Sequence, residues 1–324
     1  MKLLLAPLLF LGVAWATAAL WFDGPASRPL AGALAAAFAL ACAVLYVRVR
    51  PALRAALFVA AGVLGVAAWW LRIPPSNTRD WLPDVARPAE AHFDGSRVTI
   101  ENVRNFSYRS ETDYDEVWET RTYDLDALRG VDMFFSFWGP TLIAHTIVSW
   151  EFEDAPPLAI SIETRKEKGE AYSAILGFFR QFELYYVVAD ERDVIGVRTN
   201  YRGEHVRLYR VRMPVEAARA VLVDYLEEVE RLAHRPRWYN ALTHNCTTTI
   251  RMHLQHVGLS RALNWRLIAN GHLDELMYER GTIDTSMPLA ELRELSDVTE
   301  RAKAAGSAPD FWRRIREGVP DFPR

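Results

Sequence analysis

The N-terminal 72 residues are almost uncharged and contain three apolar stretches, and this constrains the fold more than any other feature. The stretches cover residues 3–22, 30–47 and 53–71. Each approaches the roughly 20 residues that a helix needs to cross about 30 Å of hydrocarbon. The sequence therefore predicts a transmembrane anchor of three helices over residues 1–72. Because Lys2 precedes the first stretch, a cleaved signal peptide is the alternative for that stretch.

Basic residues around these stretches predict the orientation of the anchor. Arg48, Arg50 and Arg54 lie in the short loop between the second and third stretches, and such loops face the cytoplasm. Lys2 agrees with this orientation, whereas Arg72 opposes it. Three crossings then place the rest of the chain outside. We expect a multi-pass protein of the bacterial inner membrane whose main domain lies in the periplasm.

The remainder of the chain has the pattern of one α+β domain and a tail. Strand-like segments with β-branched and aromatic residues dominate the first half of residues 73–288, and helical spacing follows over 215–233 and 247–257. We predict an antiparallel sheet with helices over 73–288 and a helical tail over 289–324. The net charge of −3 gives no electrostatic reason to expect nucleic acid as a partner.

Cys246 is the most informative residue of this domain. The chain has two cysteines, and the other, Cys42, lies in an apolar stretch of the anchor, so no disulfide between them is expected. Cys246 stands where polar capping residues give way to a helical pattern, with Asn245 and Thr247 as predicted caps. A helix N-terminus favours the thiolate over the thiol. Its backbone N–H groups, at Cys246 and Thr247, are a candidate oxyanion hole.

A cysteine nucleophile needs a base, and His145 is the candidate. It lies inside an apolar strand, where an imidazole must be hydrogen-bonded to be tolerated; the alternative is a core histidine bonded to a backbone carbonyl. In the next strand Ser161, Glu163 and Arg165 share one face. Either Ser161 or Glu163 can face the imidazole, and we predict Glu163. Arg165 is then a partner of Glu163 or a phosphate contact, unless this is an ordinary solvated face.

Other polar residues carry weaker signals. His244 is a second acid or base group, or a loop residue. Tyr185 contributes a hydroxyl to the site, or packs in the core. His253 and His256 follow Cys246 without the spacing of a zinc site, so we predict no metal and no cofactor.

Several segments, in order, resemble the periplasmic domain of Lnb-type lipoprotein N-acyltransferases, formerly a domain of unknown function. They are residues 77–84, 102–106, Ala144-His145-Thr146, Ser161-Ile162-Glu163-Thr164-Arg165 and Asn245-Cys246-Thr247-Thr248. The resemblance covers roughly residues 77–270, and the order of histidine strand, polar strand and cysteine helix is similar to circularly permuted papain-like folds.

The resemblance implies a reaction. A cysteine thiol accepts an acyl chain from a membrane phospholipid and passes it to the α-amino group of a lipoprotein. Cys246 would be the nucleophile, His145 the base and Glu163 the residue that orients it. Two alternatives stay open: a papain-like hydrolase that cleaves a peptidoglycan peptide or a lipid ester, and a membrane-tethered binding domain with an inert thiol.

Overall fold

The structure is a computed structural model that describes residues 2–259, 262 and 264–321, with side chains from Ala6 onward. The chain divides into two compact units. The first comprises the chain up to Ser76 together with Ala171–Glu183 and Trp238–Ala241. The second comprises Asn77–Glu170, Leu184–Arg237 and the chain from Leu242 onward. The candidate site lies in the second unit.

Three helices form most of the first unit: α1 (Lys2–Phe22), α2 (Arg28–Arg48) and α3 (Ala52–Trp70). Alanines buried between them allow the backbones to approach closely; they are Ala16, Ala19, Ala31, Ala35 and Ala55.

Two of these helices, not the expected three, are long and apolar enough to cross a membrane. They are α2 and α3, whereas the described apolar part of α1, Ala6–Phe22, is shorter.

The segment Ala171–Glu183 is held against the ends of these helices within the first unit. The Asp23 carboxylate accepts hydrogen bonds from the Trp70 indole at 2.6 Å and from the Gln181 amide at 2.6 Å. The rings of Phe22 and Phe179 pack with their centroids 5.0 Å apart. These contacts fix one loop of the extramembrane chain to the helices.

The second unit is built on one mixed sheet. Among the described residues, eight strands form it: β1 (Glu90–Asp94), β2 (Arg97–Arg104), β5 (Trp118–Asp124), β6 (Leu128–Phe137), β7 (His145–Phe152), β8 (Leu158–Arg165), β9 (Glu183–Asp190) and β10 (His205–Val211). Two short strands, β3 (Ser107–Tyr108) and β4 (Tyr114–Asp115), form a separate hairpin. The order is β1-β2-β9-β8-β7-β6-β10, and β5 pairs with β2.

The expected α+β class is correct, but the sheet is not wholly antiparallel. Strands β2 and β9 pair in parallel, with Arg104 opposite Ala189. Alternation of apolar and polar residues shows which face of a strand is buried, not which strand lies beside it. The sequence pattern therefore contained no signal for this pairing.

Strands β6, β7 and β8 form the antiparallel centre that positions the candidate base. His145 lies opposite Ser136 of β6, and Ile147 lies opposite Ser161 of β8. The apolar residues Ile147, Val148 and Trp150 are buried. The burial of these side chains in the core fixes the register of β7 and with it the position of His145.

Helices cover the sheet. They are α4 (Glu191–Val194), α5 (Val215–His234), α6 (Cys246–His256), α7 (Leu273–Glu279), α8 (Leu289–Leu295), α9 (Thr299–Ala305) and α10 (Phe311–Arg314). The helical spacing predicted for 215–233 is confirmed, because its seven apolar positions are buried; these are Ala218, Val221, Leu222, Tyr225, Leu226, Val229 and Leu232.

The predicted helical tail joins the same core as the sheet. Val298, Ala302 and Phe311 are buried in one cluster with Phe134 of β6 and Ile147 of β7. Residues beyond 288 therefore support the sheet that carries His145.

Candidate active site

Cys246 is the first residue of α6, as the capping pattern predicted. The Asn245 side chain accepts a hydrogen bond from the Thr248 N–H at 2.9 Å, and the Thr248 hydroxyl accepts one from the Asn245 N–H at 3.0 Å. This reciprocal pair is a capping box. Asn245 is thus a cap as predicted, but its reciprocal partner is Thr248 and not Thr247. The helix ends before Gly258, whose φ of 76° suits glycine.

The Cys246 thiol lies beside the imidazole of His145. Burial would raise the pKa of the thiol, but a hydrogen bond with His145, the charge of that ring and the Thr146 N–H lower the pKa to about 6. The helix N-terminus acts in the same direction. A large fraction of the protein therefore carries a thiolate at neutral pH, which is the nucleophilic form of cysteine.

A hydrogen-bonded relay holds His145. Its Nε2 lies 2.7 Å from the Ser161 hydroxyl oxygen, and that hydroxyl donates to Glu163 Oε1 at 2.7 Å. Since a hydroxyl has one proton, and Ser161 gives it to the carboxylate, Ser161 accepts from His145. Nε2 therefore carries a proton, and Nδ1 is the nitrogen left to serve the thiol.

The direct partner of the imidazole is therefore Ser161. Glu163, which was predicted for that position, lies 3.8 Å from His145 Nε2 and acts through the Ser161 hydroxyl. The two residues share one strand face, as alternation predicted, but the side chain nearer the ring in space is the shorter one. The register of β7 and β8 decides this.

Arg198 is the cation that binds Glu163. Its guanidinium donates to Glu163 Oε1 at 2.8 Å and lies 3.8 Å from Glu204. Burial would raise the pKa of Glu163, but the charges of Arg198 and His145 hold it far below its ordinary value. Arg198 lies in a short π-helical segment, Val197–Tyr201, a conformation that is frequent at functional sites.

Arg165, expected to bind Glu163 or a phosphate, has a different role. Its buried guanidinium donates to the carbonyl oxygens of Val85 and Ala86 and to Asn77 Oδ1. It also stacks over the Trp81 ring, at 4.3 Å from the centroid. Arg165 thus fastens the 77–86 segment to the sheet.

Two further predicted residues lie in other settings. The Tyr185 hydroxyl donates to the Arg87 carbonyl at 2.6 Å, and its ring belongs to the hydrophobic core, so the core alternative holds for it. His244 forms a hydrogen bond through Nδ1 with the Thr243 hydroxyl at 2.8 Å. Burial, followed by the charge of Arg237, lowers the pKa of His244.

Asn270 joins the cysteine helix to the histidine strand, and the sequence did not reveal it. Its Nδ2 donates to the Ala144 carbonyl at 2.6 Å and to the Thr247 hydroxyl at 2.7 Å, and it lies 3.8 Å from Cys246 Sγ. Its Oδ1 accepts from the Ala144 N–H. Asn270-Gly271 resembles an ordinary turn in sequence. Gly271 is required because a Cβ there would lie 1.8 Å from the Thr141 carbonyl oxygen.

Tyr225 of α5 is a second residue whose place in the site the sequence did not reveal. The sequence pattern assigned it to the hydrophobic core. Its side chain is fully buried, and its hydroxyl has no hydrogen-bond partner within the part of the chain that the structure describes. Burial raises the pKa of Tyr225 well above its ordinary value, and the charge of Cys246 adds to this. The hydroxyl is therefore a buried donor whose ionisation is opposed by the charge of Cys246.

Asp224, His253 and His256 form a group whose candidate ligand atoms lie within 4.8 Å of one another. Both ring nitrogens of His253 take part in hydrogen bonds, Nδ1 with Asp224 at 2.6 Å and Nε2 with the Tyr186 hydroxyl at 2.7 Å. Burial lowers the pKa of His253 to about 4, against the effect of Asp224. This arrangement ties α6 to α5 and β9 as a polar relay.

The lowered pKa of Cys246 has a measurable consequence. Because the thiolate is the form that reacts, the rate of iodoacetamide alkylation should rise with pH through a midpoint near 6 and level off above about 7. An unperturbed thiol would show a midpoint of about 8.5. Peptide mass spectrometry resolves Cys246 from Cys42, so the full chain in detergent is suitable. A midpoint above 8 at Cys246 would contradict the site described above and support the binding-domain alternative.

The two membrane-length helices and the α+β unit with its paired thiol and imidazole define a membrane-anchored protein with one extramembrane domain. Residues 114–271 match the family model of the Lnb N-terminal periplasmic domain, which confirms the resemblance to the Lnb-type family and indicates that the domain is periplasmic. The matched range includes Cys246, His145, Ser161 and Glu163. No curated protein and no solved structure matches the chain.

Proposed function

We propose that this protein is a cysteine acyltransferase that moves an acyl chain from a membrane phospholipid, through a thioester on Cys246, to the α-amino group of a lipoprotein. The observation that supports this best is the Cys246 thiol at a helix N-terminus beside an imidazole whose tautomer is set by Ser161 and Glu163. A thiolate and a base in contact are the requirement for covalent acyl transfer.

In the first half-reaction the Cys246 thiolate attacks the ester carbonyl carbon of the phospholipid. The C–O bond breaks as the C–S bond of the thioester forms. His145, protonated on both nitrogens after taking the thiol proton, gives the Nδ1 proton to the departing lysolipid oxygen. The negatively charged Glu163, behind Ser161, stabilises this imidazolium.

In the second half-reaction the amine of the lipoprotein attacks the thioester carbonyl. His145 takes a proton from the attacking amine, the amide C–N bond forms, and the C–S bond breaks to return the Cys246 sulfur. The relay through Ser161 and Glu163 serves both halves because the same nitrogen alternately gives and takes one proton.

The first turn of α6 supplies donors for the tetrahedral intermediate. The first N–H groups of a helix have no intrahelical partner, and those of Cys246 and Thr247 lie next to the sulfur. Such donors are suited to a developing oxyanion. The Asn270 amide, 3.8 Å from the sulfur, is a further donor close to the sulfur.

Exposed apolar side chains on two adjoining loops support a lipid as the acyl donor. One loop precedes His145 and the other contains Asn270, and they are joined by the hydrogen bond from the Gly271 N–H to the Leu142 carbonyl. The large exposed side chains on them are Trp138, Leu142, Ile143, Trp265 and Ile268. A group of this kind marks a surface that contacts membrane or partner.

The anchor is consistent with this function. We propose that α2 and α3 cross the inner membrane. The basic loop of Arg48, Arg50 and Arg54 between α2 and α3 faces the cytoplasm by the charge rule, so the chain leaves α3 on the periplasmic side. Both substrates of the reaction are lipids or lipid-anchored, and the membrane would present them on its periplasmic side. The strand and helix order of His145, Ser161 and Cys246 supports a permuted papain-like arrangement.

The test of this function is to follow the acyl chain. The full chain in detergent is incubated with phosphatidylethanolamine carrying a deuterated acyl chain, with or without a diacylglyceryl-cysteine peptide as acceptor. We expect a mass increase of one acyl group on Cys246 without acceptor, and the deuterated amide on the peptide when acceptor is present. Free fatty acid as the main product in both cases would identify a hydrolase. No acyl adduct and no product would contradict both enzymatic hypotheses.

A further inference from the structure

We propose that the apolar cavity beside Cys246 is the binding site for the hydrocarbon tail of the acyl group. This inference rests on the proposed function and adds to it the place and the length limit of the chain. The cavity lies within the second unit, has a volume of about 330 Å³, and includes Thr247 and Tyr225 among its lining residues. Thr247 follows Cys246 directly in the chain, so the cavity reaches the first turn of the helix that carries the thiol.

The lining matches a hydrocarbon chain. Most of it comes from apolar side chains on six elements: Met133 on β6, Val148 on β7, Val211 on β10, Val221 on α5, Ile250 on α6 and Met277 on α7. Arg212, Arg251 and Arg280 also line it, and arginine side chains have long apolar stems. Methionines adapt to a flexible ligand.

Two uncharged polar residues of the lining, Thr247 and Tyr225, bear on the cysteine end of the cavity. Thr247 follows Cys246 and bonds to Asn270 at 2.7 Å. The Tyr225 hydroxyl is buried and without a partner among the described residues, and its side chain lines the same cavity as Thr247. A buried hydroxyl of this kind needs a partner, and the carbonyl oxygen of an acyl group on Cys246 would supply one. The hydrocarbon would then extend away from this polar end.

The registers of the strands give the direction and depth of the cavity. Thr146 donates its N–H to Cys246, and the lining residues Val148 and Trp150 follow on β7, opposite Met133 and Val131 of β6. The distance along β7 from Thr146 to Trp150 is about 13 Å, at about 3.3 Å per residue. The part of helix α6 that lines the cavity, from Thr247 to Leu254, is about 10 Å long.

These dimensions limit the acyl chain. An apolar cavity of about 150 Å³ admits benzene, so a cavity of about 330 Å³ has room for on the order of a dozen carbon atoms. Met133 stands about halfway along, at the level of Val148. A larger side chain at Met133 should therefore shorten the accepted chain, and a smaller one should lengthen it.

The experiment measures acylation of Cys246 by p-nitrophenyl esters with chains of 4, 8, 12 and 16 carbons. The full chain is used in detergent, and the burst of p-nitrophenolate is checked by intact mass. Each rate is expressed relative to the wild-type rate for the same ester, so that partition of the ester into micelles cancels. Variants are Met133→Trp, Met133→Ala and, as matched control, Met252→Trp. Met252 is a half-buried residue of α6 that does not line the cavity.

For Met133→Trp we expect the wild-type rate with the 4-carbon ester and a loss of tenfold or more with the 12-carbon ester. The loss corresponds to about two methylenes that are no longer buried, at about fourfold each. Met133→Ala should shift the preference towards longer chains. The control should show the wild-type profile.

Other outcomes separate the failure of this inference from the failure of the function. Two results would show that the cavity does not hold the chain, although the acyl-enzyme chemistry stands. In the first, Cys246 is acylated in the wild type and in Met133→Ala with the same chain-length profile. In the second, Met133→Trp slows acylation by all esters equally. If no ester acylates Cys246 in the wild type, the proposed function itself fails. Met133→Ala leaves the test valid if the tryptophan variant does not fold.

Discussion

Cys246→Ala is expected to yield a folded protein that forms no acyl adduct and transfers no acyl chain. The thiolate is the atom that would carry the chain between donor and acceptor, whereas the Ser161 hydroxyl, which also contacts His145, donates its proton to Glu163. We expect product formation to fall to the background rate in the assay with deuterated phospholipid. Circular dichroism and a thermal unfolding curve check that the fold is retained, because Cys246 is only partly buried and its cap is Asn245.

The second cysteine provides the matched control. Cys42 lies in α2, within the anchor, and Cys42→Ala should keep the wild-type rate. Cys246→Ser should also be inactive, since a serine hydroxyl stays protonated in a site that depends on a pKa of about 6 at the nucleophile. Full activity in Cys246→Ala would remove the covalent mechanism.

His145→Ala is expected to lower the acylation rate by about 10²–10⁴-fold. The imidazole both takes the thiol proton and stabilises the thiolate, and burial alone raises the pKa of Cys246. The midpoint of the alkylation profile should therefore move from near 6 to about 8.5 or above. The direction is fixed because the removed contacts are those that lower the pKa.

The pH profile distinguishes a base from a structural residue. A purely structural loss at His145 would lower the rate without moving the midpoint at Cys246. His92→Ala is the control, since that side chain is about half exposed on β1; it should match the wild type in rate and midpoint. An unchanged midpoint in His145→Ala would contradict the pairing of the thiol with the imidazole.

Much of the site was predictable because its parts are local. A polar cap followed by a helical pattern placed Cys246 at the start of α6, and the apolar pattern placed His145 on a buried strand. The capping preference and the periods of helices and strands depend on neighbours in the chain. For the same reason the buried face of α5 was predicted residue by residue.

The partners of these residues were not predictable in the same way. Ser161 and Glu163 share a strand face, and the register of β7 against β8 put the serine hydroxyl next to the ring. Arg198 took the place expected for Arg165. Asn270 follows Cys246 by 24 positions and still joins the two halves of the site. These contacts depend on distances between elements that are far apart in sequence.

The sequence by itself determined an apolar N-terminal anchor, an α+β domain, a cysteine at a helix start and a histidine on a strand, because each follows from the local pattern of residues. The tertiary structure alone decided the parallel pairing of β2 with β9, the order of the relay from His145 through Ser161 to Glu163 and Arg198, and the apolar cavity that Thr247 and Tyr225 help to line. The physical reason is that hydrogen bonds, ion pairs and cavities form between elements, whose relative positions are set by packing in the core and not by local periodicity.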